Sequence, residues 1–161
     1  MNVEDTFQEL KVQPSASELA QLYKMQQTIT YEMFTHETLP DGNFVCGVDV
    51  SVLPEWLQKR YPKFCSEAKF YNFLKNKGGV KRHEDVPRKC SVTFPLVTIT
   101  QPTHFYNEYD NEIPYAELTH GNKVYLQNNS KIHSVPECEE ERIFFQIAFK
   151  KKTYQEMLQL I

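Results

Sequence analysis

Residues 75–89, KNKGGVKRHEDVPRK, form the most basic stretch of the chain, with six positive and two negative side chains and a local charge of +4. The whole chain carries −3, which leaves −7 for the other residues. Lysine and arginine neutralise phosphates, and the backbone of Gly78 and Gly79 can approach an anion closely. The stretch therefore indicates a phosphate- or nucleic-acid-binding patch, which comprises Lys75, Lys77, Lys81, Arg82, Arg88 and Lys89, with Tyr71 as a stacking residue.

The same stretch is also typical of a solvated loop. Its two glycines follow a predicted helix, whereas phosphate-binding loops precede one, and their spacing is not that of a P-loop. Lysines near a helix C-terminus, such as Lys75 and Lys77, also stabilise the helix dipole without binding any ligand. Both interpretations stay open at the level of sequence.

Asp49 ends the apolar run NFVCGVDVS, a position that suits a metal ligand in nucleases and phosphotransferases. Two-metal chemistry needs further carboxylates to converge on it, and those available are Glu108, Asp110, Glu112 and Glu117. An aspartate before a helix is equally an ordinary N-terminal cap. A metal-dependent hydrolase or nuclease that uses Asp49 is therefore one alternative function.

The histidines and cysteines lack the close spacing of a zinc site. His133 and Cys138 come nearest to it, and they have no matching second pair. The stretch KIHSVPECEEERIFFQI is similar to the closing metal motif of a cupin barrel, but the upstream H-x-H and glutamate of that motif are absent. The sequence therefore predicts no metal ligand, no catalytic residue and no cofactor.

The segment 104–118, HFYNEYDNEIPYAEL, mixes aromatic and acidic side chains. Tyrosine gives a large contact area at low entropic cost, which favours a protein-binding surface. The tentative contact residues are Phe105, Tyr106, Tyr109 and Tyr115. The alternative is a strand, a loop and a second strand, with half of the tyrosines in the core.

Composition limits the class of protein. A chain of 161 residues with 40% apolar residues suits one globular domain, and a net charge of −3 argues against a dedicated nucleic-acid binder. The four cysteines lack a C-x-x-C pair, which indicates buried reduced thiols. No apolar run is long enough to span a membrane, and no signal peptide begins the chain. We therefore expect an intracellular protein, in the cytoplasm or nucleus.

Periodicity and capping signals predict the secondary structure. Capping boxes begin helices at Ser15 and Thr153, and the first helix is predicted to extend to about residue 35. Further helices are predicted from Pro54 and over residues 66–79. The predicted β elements are a strand in NFVCGVDVS, hairpins in VKRHEDVPRKCSVTF and IPYAELTHGNKVYLQ, and strands in KIHSV and RIFFQIAF.

These elements predict an α+β fold, with helices packed on a mostly antiparallel sheet. The N-terminal half is helical with a winged-helix-like order, and the C-terminal half is β-rich. Residues 1–14 are a predicted leader and residues 15–161 a single domain, with a subdivision near residue 97. The predicted function is a non-enzymatic binding module that contacts another protein in an assembly. The nucleic-acid alternative uses the helix and hairpin at 66–89.

Overall fold

Antiparallel strands are the main regular secondary structure in the computed structural model, which describes residues 2–33, 42–85, 88–109 and 112–161. Short 3-10 helices lie at Val3–Asp5 and Val50–Val52. The remaining elements of the described residues are, in chain order, β1 (Phe7–Glu9), α1 (Ala16–Gln26), β2 (Glu32–Met33), β3 (Asn43–Val48), α2 (Glu55–Arg60), α3 (Pro62–Glu67), β4 (Phe70–Asn76), β5 (Val80–His83), β6 (Cys90–Pro95), β7 (Thr103–Phe105), β8 (Ala116–Leu118), β9 (Tyr125–Asn128), β10 (His133–Val135), β11 (Arg142–Phe149) and α4 (Tyr154–Leu158).

The strands form two antiparallel sheets. The larger sheet has the order β1-β9-β6-β11-β4-β3-β2, and the smaller has the order β5-β10-β7-β8. Chain neighbours such as β4 and β5, or β5 and β6, lie in different sheets, so the chain crosses repeatedly between the two layers. This arrangement is that of a two-sheet jelly roll.

The central strand β11 shows how the two faces of the larger sheet differ. All eight of its residues are buried, and successive side chains point to opposite faces. Phe145 and its alternate neighbours pack in the main core with Leu22 of α1 and Leu57 of α2, so the helices cover the outer face. Arg142 and Gln146 point to the other face, toward the smaller sheet. The interior between the sheets is therefore partly polar.

The predicted α+β fold with a helical N-terminal half is wrong. Residues 66–79 are not a helix: α3 ends at Glu67, and β4 then runs between β3 and β11. In FYNFLKN, Tyr71 and Phe73 point to the main core beneath the helices, whereas Asn72 points to the opposite face, between the two sheets. One face of this strand is therefore apolar and the other is mixed. A strand that is buried on both faces lacks the alternation of apolar and polar residues by which a strand is distinguished from a helix in a sequence.

Both predicted hairpins are also wrong. VKRHEDVPRKCSVTF contains β5 and β6, which belong to different sheets, and IPYAELTHGNKVYLQ contains β8 and β9, which also separate. Their turn signals are real, since Gly121 has a positive φ of 55°. A turn residue fixes a local reversal, but it does not decide which strand becomes the pairing partner.

Local capping predictions are confirmed. Ser15 and Glu18 form a reciprocal capping box at α1, and Thr153 and Glu156 form one at α4. α1 ends at Gln26, earlier than predicted. In the predicted leader, β1 pairs with β9 at the edge of the larger sheet. All four cysteines are free, and none of the described helices is long and apolar enough to cross a membrane.

Gly79 is the glycine whose replacement should disturb the smaller sheet most. Its φ is +86°, and a Cβ there would lie 2.7 Å from the carbonyl oxygen of Val135 in β10. We expect Gly79→Ala to lower the free energy of unfolding by at least about 2 kcal/mol. Gly121→Ala is the matched control, because its φ is +55° with no atom within 4 Å, and it should cost about 1 kcal/mol. Equal losses in urea titrations of the two variants would contradict this steric account.

Candidate metal centre

Three potential metal ligands converge where β5 meets β10. His83 ends β5, Asp85 follows two residues later, and His133 begins β10 directly opposite His83 in the antiparallel pair. The ligand atoms of all three lie within 4.8 Å of one another. The imidazole rings are 4.4 Å apart between centroids, and His83 Nε2 lies 3.2 Å from Asp85 Oδ1. Two imidazoles and a carboxylate thus form one compact donor set.

Both histidines are held in the same tautomer by the backbone. His83 Nδ1 is 2.7 Å from the carbonyl oxygen of Lys81, and His133 Nδ1 is 2.7 Å from that of Lys131. A carbonyl oxygen can only accept, so each Nδ1 carries the proton and donates it. The Nε2 atoms are therefore the ones that face Asp85 and can coordinate a metal, which is how metal-binding histidines are usually oriented.

The charges of the cluster are strongly perturbed. Burial opposes ionisation of Asp85, but hydrogen bonding to His83 and the charge of Arg88 outweigh it, so the pKa of Asp85 is lowered. Burial also disfavours charge on His83, yet the hydrogen bond to Asp85 prevails and raises its pKa. Burial lowers the pKa of His133 to about 4. At neutral pH the site therefore offers an ionised carboxylate and an uncharged His133, both in the form that a metal needs.

A second polar site lies deeper between the sheets, around Arg142 at the start of β11. The guanidinium is buried, and its Nη2 donates to Thr103 Oγ1 at 3.1 Å. Burial lowers the pKa of Arg142 to about 10. Nearby Glu140 instead accepts hydrogen bonds from Thr100 and Gln101, so Arg142 has no ion pair among the described residues.

Several buried polar atoms of this interior lack a partner among the described residues. They include Arg142 Nε, the Oδ1 atoms of Asn72 and Asn76, and Nδ1 of His120. Burial lowers the pKa of His120 to about 3, and the charge of Arg142 adds to that effect. Native proteins leave few buried polar groups unsatisfied, so these atoms are available to hydrogen-bond a ligand or a water molecule.

Comparison with known proteins adds the fold. No protein-family model and no curated protein matches the chain, but solved structures do. A prolyl-4-hydroxylase from Pseudomonas putida has a TM-score of 0.65 and 11% identity, over 93% of this chain and 97% of that one. A 2OG-Fe(II) oxygenase from Burkholderia pseudomallei has a TM-score of 0.66 and 15% identity, over 86% and 81%. A Trichoplax adhaerens prolyl hydroxylase, solved with a hypoxia inducible factor peptide, has a TM-score of 0.68 and 13% identity, over 91% and 84%.

The chain has the fold of these oxygenases. The prediction of a non-enzymatic binding module is therefore wrong, because the structures that share this fold are enzymes. The two alternatives, a nucleic-acid-binding domain and a metal-dependent hydrolase or nuclease that uses Asp49, are also wrong, because the structures that share this fold are oxygenases. Asp49 is the cap of a 3-10 helix, where its Oδ1 accepts from the Ser51 amide at 2.9 Å.

The predicted phosphate-binding residues do not form one patch. Tyr71 is buried and stacked on Phe145, so its ring cannot stack on a base. Lys75 lies over the Tyr31 ring at 4.8 Å on the outer face of the larger sheet. Exposed side chains come from separate places: Lys77, Lys81 and Arg82 around β5, and Lys89 before β6. Arg88 instead turns inward to Asp85. Whether these positions bind a phosphate stays a prediction.

The predicted protein-binding aromatics are mostly internal. Phe105 and Tyr106 are buried, and Tyr115 is half-buried, because β7 and β8 form part of the smaller sheet. Tyr109 is 94% exposed and alone among the four presents its ring to solvent. Residues 110–111 of this segment, and His36 among the histidines, lie outside the described residues. The interpretation as a strand, a loop and a strand fits the described part of the segment.

Sequence reasoning missed all three residues of the metal cluster and Arg142. The signal for two of them was H-x-D at 83–85, immediately followed by a β-rich segment. It lies inside the basic stretch 75–89, whose charge favours a surface-binding interpretation. The signal for the others was the strand KIHSV, with an arginine nine residues after its histidine at the start of a fully buried strand.

Proposed function

We propose that the chain is an oxygenase that depends on iron(II) and 2-oxoglutarate. The observation that carries the proposal is the convergence of His83, Asp85 and His133 between the sheets of an oxygenase-type jelly roll. Two histidines and one carboxylate on one side of a metal are the typical ligand set of non-haem iron(II) oxygenases. Because such similarity of fold does not define an activity, the proposal rests on the site.

The residues present fit an iron(II) ion. His83 and His133 direct their Nε2 atoms to Asp85, and their Nδ1 atoms are anchored on backbone carbonyls. These three side chains would hold the metal. Bound iron supplies the activation of dioxygen for oxidation of a substrate.

Arg142 is the residue that would bind the distal carboxylate of 2-oxoglutarate. A buried guanidinium without a carboxylate partner is costly, and a bidentate carboxylate ligand relieves that cost. Thr103 Oγ1 already fixes Nη2, and the unpartnered Nε leaves a donor for the ligand. Phe144 lies between Arg142 and Gln146 along β11, and the centroid of its ring is 5.0 Å from Cζ of the Arg142 guanidinium. The apolar ring would line the carbon chain of the cosubstrate.

The chain's own residues therefore divide the work of the proposed reaction. The backbone-anchored His133 and the ionised Asp85 present lone pairs at neutral pH, whereas His83, whose pKa is raised, would release its Nε2 proton when the metal binds. Arg142 orients the cosubstrate by its far end. His133 and Arg142 are buried, and their low exposure to water would strengthen both the metal–ligand and the carboxylate–guanidinium interaction.

The first test is ligand-induced thermal stabilisation. We expect Mn(II), as a redox-stable substitute for iron(II), to raise the melting temperature, and 2-oxoglutarate to raise it further only when the metal is present. At a ligand concentration of about 100 times Kd, each ligand adds about 2.7 kcal/mol, or roughly 5–10 °C in a domain of this size. Addition of EDTA should reverse both shifts.

The matched ligand control is 2-oxobutyrate, which keeps the keto acid but lacks the distal carboxylate that Arg142 would bind. It should give a much smaller second shift than 2-oxoglutarate. An equal shift from both acids would place the recognition away from Arg142, and no shift with metal would contradict the proposed metal centre.

A further inference from the structure

Arg88 connects Asp85 to the central strand of the larger sheet. Its Nε donates to Asp85 Oδ2 at 3.1 Å, and its Nη2 forms a second, short contact to the same oxygen. Its Nη1 donates to Oε1 of Gln146 at 2.6 Å. Gln146 is buried near the middle of β11, between Asn72 of β4 and Thr93 of β6. The guanidinium is thus fixed at both ends.

The two oxygens of Asp85 are therefore not equivalent. Arg88 places two donors on Oδ2, while Oδ1 faces His83 Nε2 at 3.2 Å. An aspartate can bind a metal through one oxygen or through both. An oxygen that already accepts two charge-assisted hydrogen bonds is a poorer second ligand. Arg88 therefore favours binding through Oδ1 alone.

We propose that Arg88 is a positioning residue that restricts Asp85 to one-oxygen coordination and thereby keeps coordination positions open for cosubstrate and dioxygen. This inference rests on the proposed metal centre. Gln146 supports it by fixing the guanidinium against β11, so that Arg88 cannot turn away from Asp85.

The positive charge of Arg88 allows a positioning role at Asp85 to be distinguished from a purely structural role of the same residue. A guanidinium beside a divalent cation repels it and also competes for Asp85, so removing Arg88 should not weaken metal binding. Removing it should, however, free Oδ2 to occupy a position that the cosubstrate needs. Loss of a residue that merely held the loop between β5 and β6 would instead weaken both binding steps together.

The experiment is a pair of calorimetric titrations on wild type, Arg88→Gln and Arg88→Lys. We expect Arg88→Gln to bind Mn(II) at least as tightly as wild type, while its Mn(II)-loaded form binds 2-oxoglutarate about tenfold more weakly or worse. Arg88→Lys keeps the charge but not the two-donor fork, so it should keep wild-type Mn(II) affinity and show an intermediate loss for 2-oxoglutarate. The visible spectrum of the Co(II)-substituted protein should differ between wild type and Arg88→Gln.

The outcomes distinguish a failure of the proposed function from a failure of the proposed role of Arg88. If wild type fails to bind Mn(II), the proposed function fails. If wild type binds both ligands but Arg88→Gln weakens Mn(II) and 2-oxoglutarate equally, or leaves 2-oxoglutarate unchanged, only the role of Arg88 is overturned. Should Arg88→Gln not fold, unchanged 2-oxoglutarate affinity in Arg88→Lys would overturn it.

Discussion

Replacing His133 with alanine is expected to lower Mn(II) affinity by at least about a hundredfold, as large an effect as any single change in the site. His133 is buried, is anchored through Nδ1, and supplies one of only three ligands in the described cluster. Changes to outer-sphere partners of metal ligands already cost 10–100-fold, so loss of a ligand should cost more. Titration of Mn(II) with electron paramagnetic resonance detection measures the free ion directly.

His104→Ala is the matched control for this experiment. His104 lies on the adjacent strand β7, paired with Ser134, and its Nε2 faces Glu117 at 3.4 Å rather than the cluster. It should leave Mn(II) affinity unchanged. Asp85→Asn, which keeps the side-chain volume, should reproduce the loss seen in His133→Ala. Retention of wild-type affinity in His133→Ala and Asp85→Asn would show that the metal binds elsewhere.

Replacing Arg142 with methionine is expected to abolish measurable 2-oxoglutarate binding without destabilising the fold. Charge-assisted hydrogen bonds contribute about 1.5–3 kcal/mol each, so loss of a bidentate contact should weaken binding by at least about a hundredfold. Arg142 is buried without an ion pair among the described residues, so removing its charge also removes a desolvation cost. The melting temperature without ligand should therefore equal or exceed that of wild type.

Calorimetry on the Mn(II)-loaded protein and thermal denaturation of the metal-free protein measure the two effects separately. Arg60→Met is the control, because Arg60 pairs with Glu18 at 3.1 Å and is partly exposed on the helical side. It should leave 2-oxoglutarate binding intact. If Arg142→Met lowers stability strongly while 2-oxoglutarate still binds, Arg142 is a structural residue and the cosubstrate site lies elsewhere.

Sequence could predict the features that neighbouring residues decide. Capping boxes at Ser15 and Thr153 need only an acid three positions later, and both form as predicted. The strand RIFFQIAF is continuously apolar enough to indicate a buried strand, and it becomes β11 at the centre of the larger sheet. These signals are complete within about ten residues.

Sequence could not predict which strands share a sheet. The chain between 70 and 135 alternates between the two sheets, so turns that look like hairpins join different layers. Residues 70–76 alternate weakly because both faces of β4 are largely buried, and the helix prediction fails there. Strand pairing depends on contacts distant in sequence, which no local pattern contains.

The metal site illustrates the same limit. The stretch KIHSVPECEEERIFFQI is similar to the closing metal motif of a cupin barrel, but the H-x-H expected upstream is absent, so neither a family resemblance nor a metal ligand follows from it. The structure supplies H-x-D at 83–85 instead, fifty residues before His133, and joins them by the pairing of β5 with β10. Arg88 is likewise predicted to be one of six phosphate-binding cations, whereas in the structure its side chain points inward to Asp85.

The most direct test of the central claim is calorimetric titration of 2-oxoglutarate into the protein with and without Mn(II). We expect one site per chain in the Mn(II)-loaded protein and binding at least about tenfold weaker without the metal. The reason is that the cosubstrate needs both the cluster at His83, Asp85 and His133 and the guanidinium of Arg142. Absence of binding to the metal-loaded protein, or equal affinity with and without Mn(II), would contradict it.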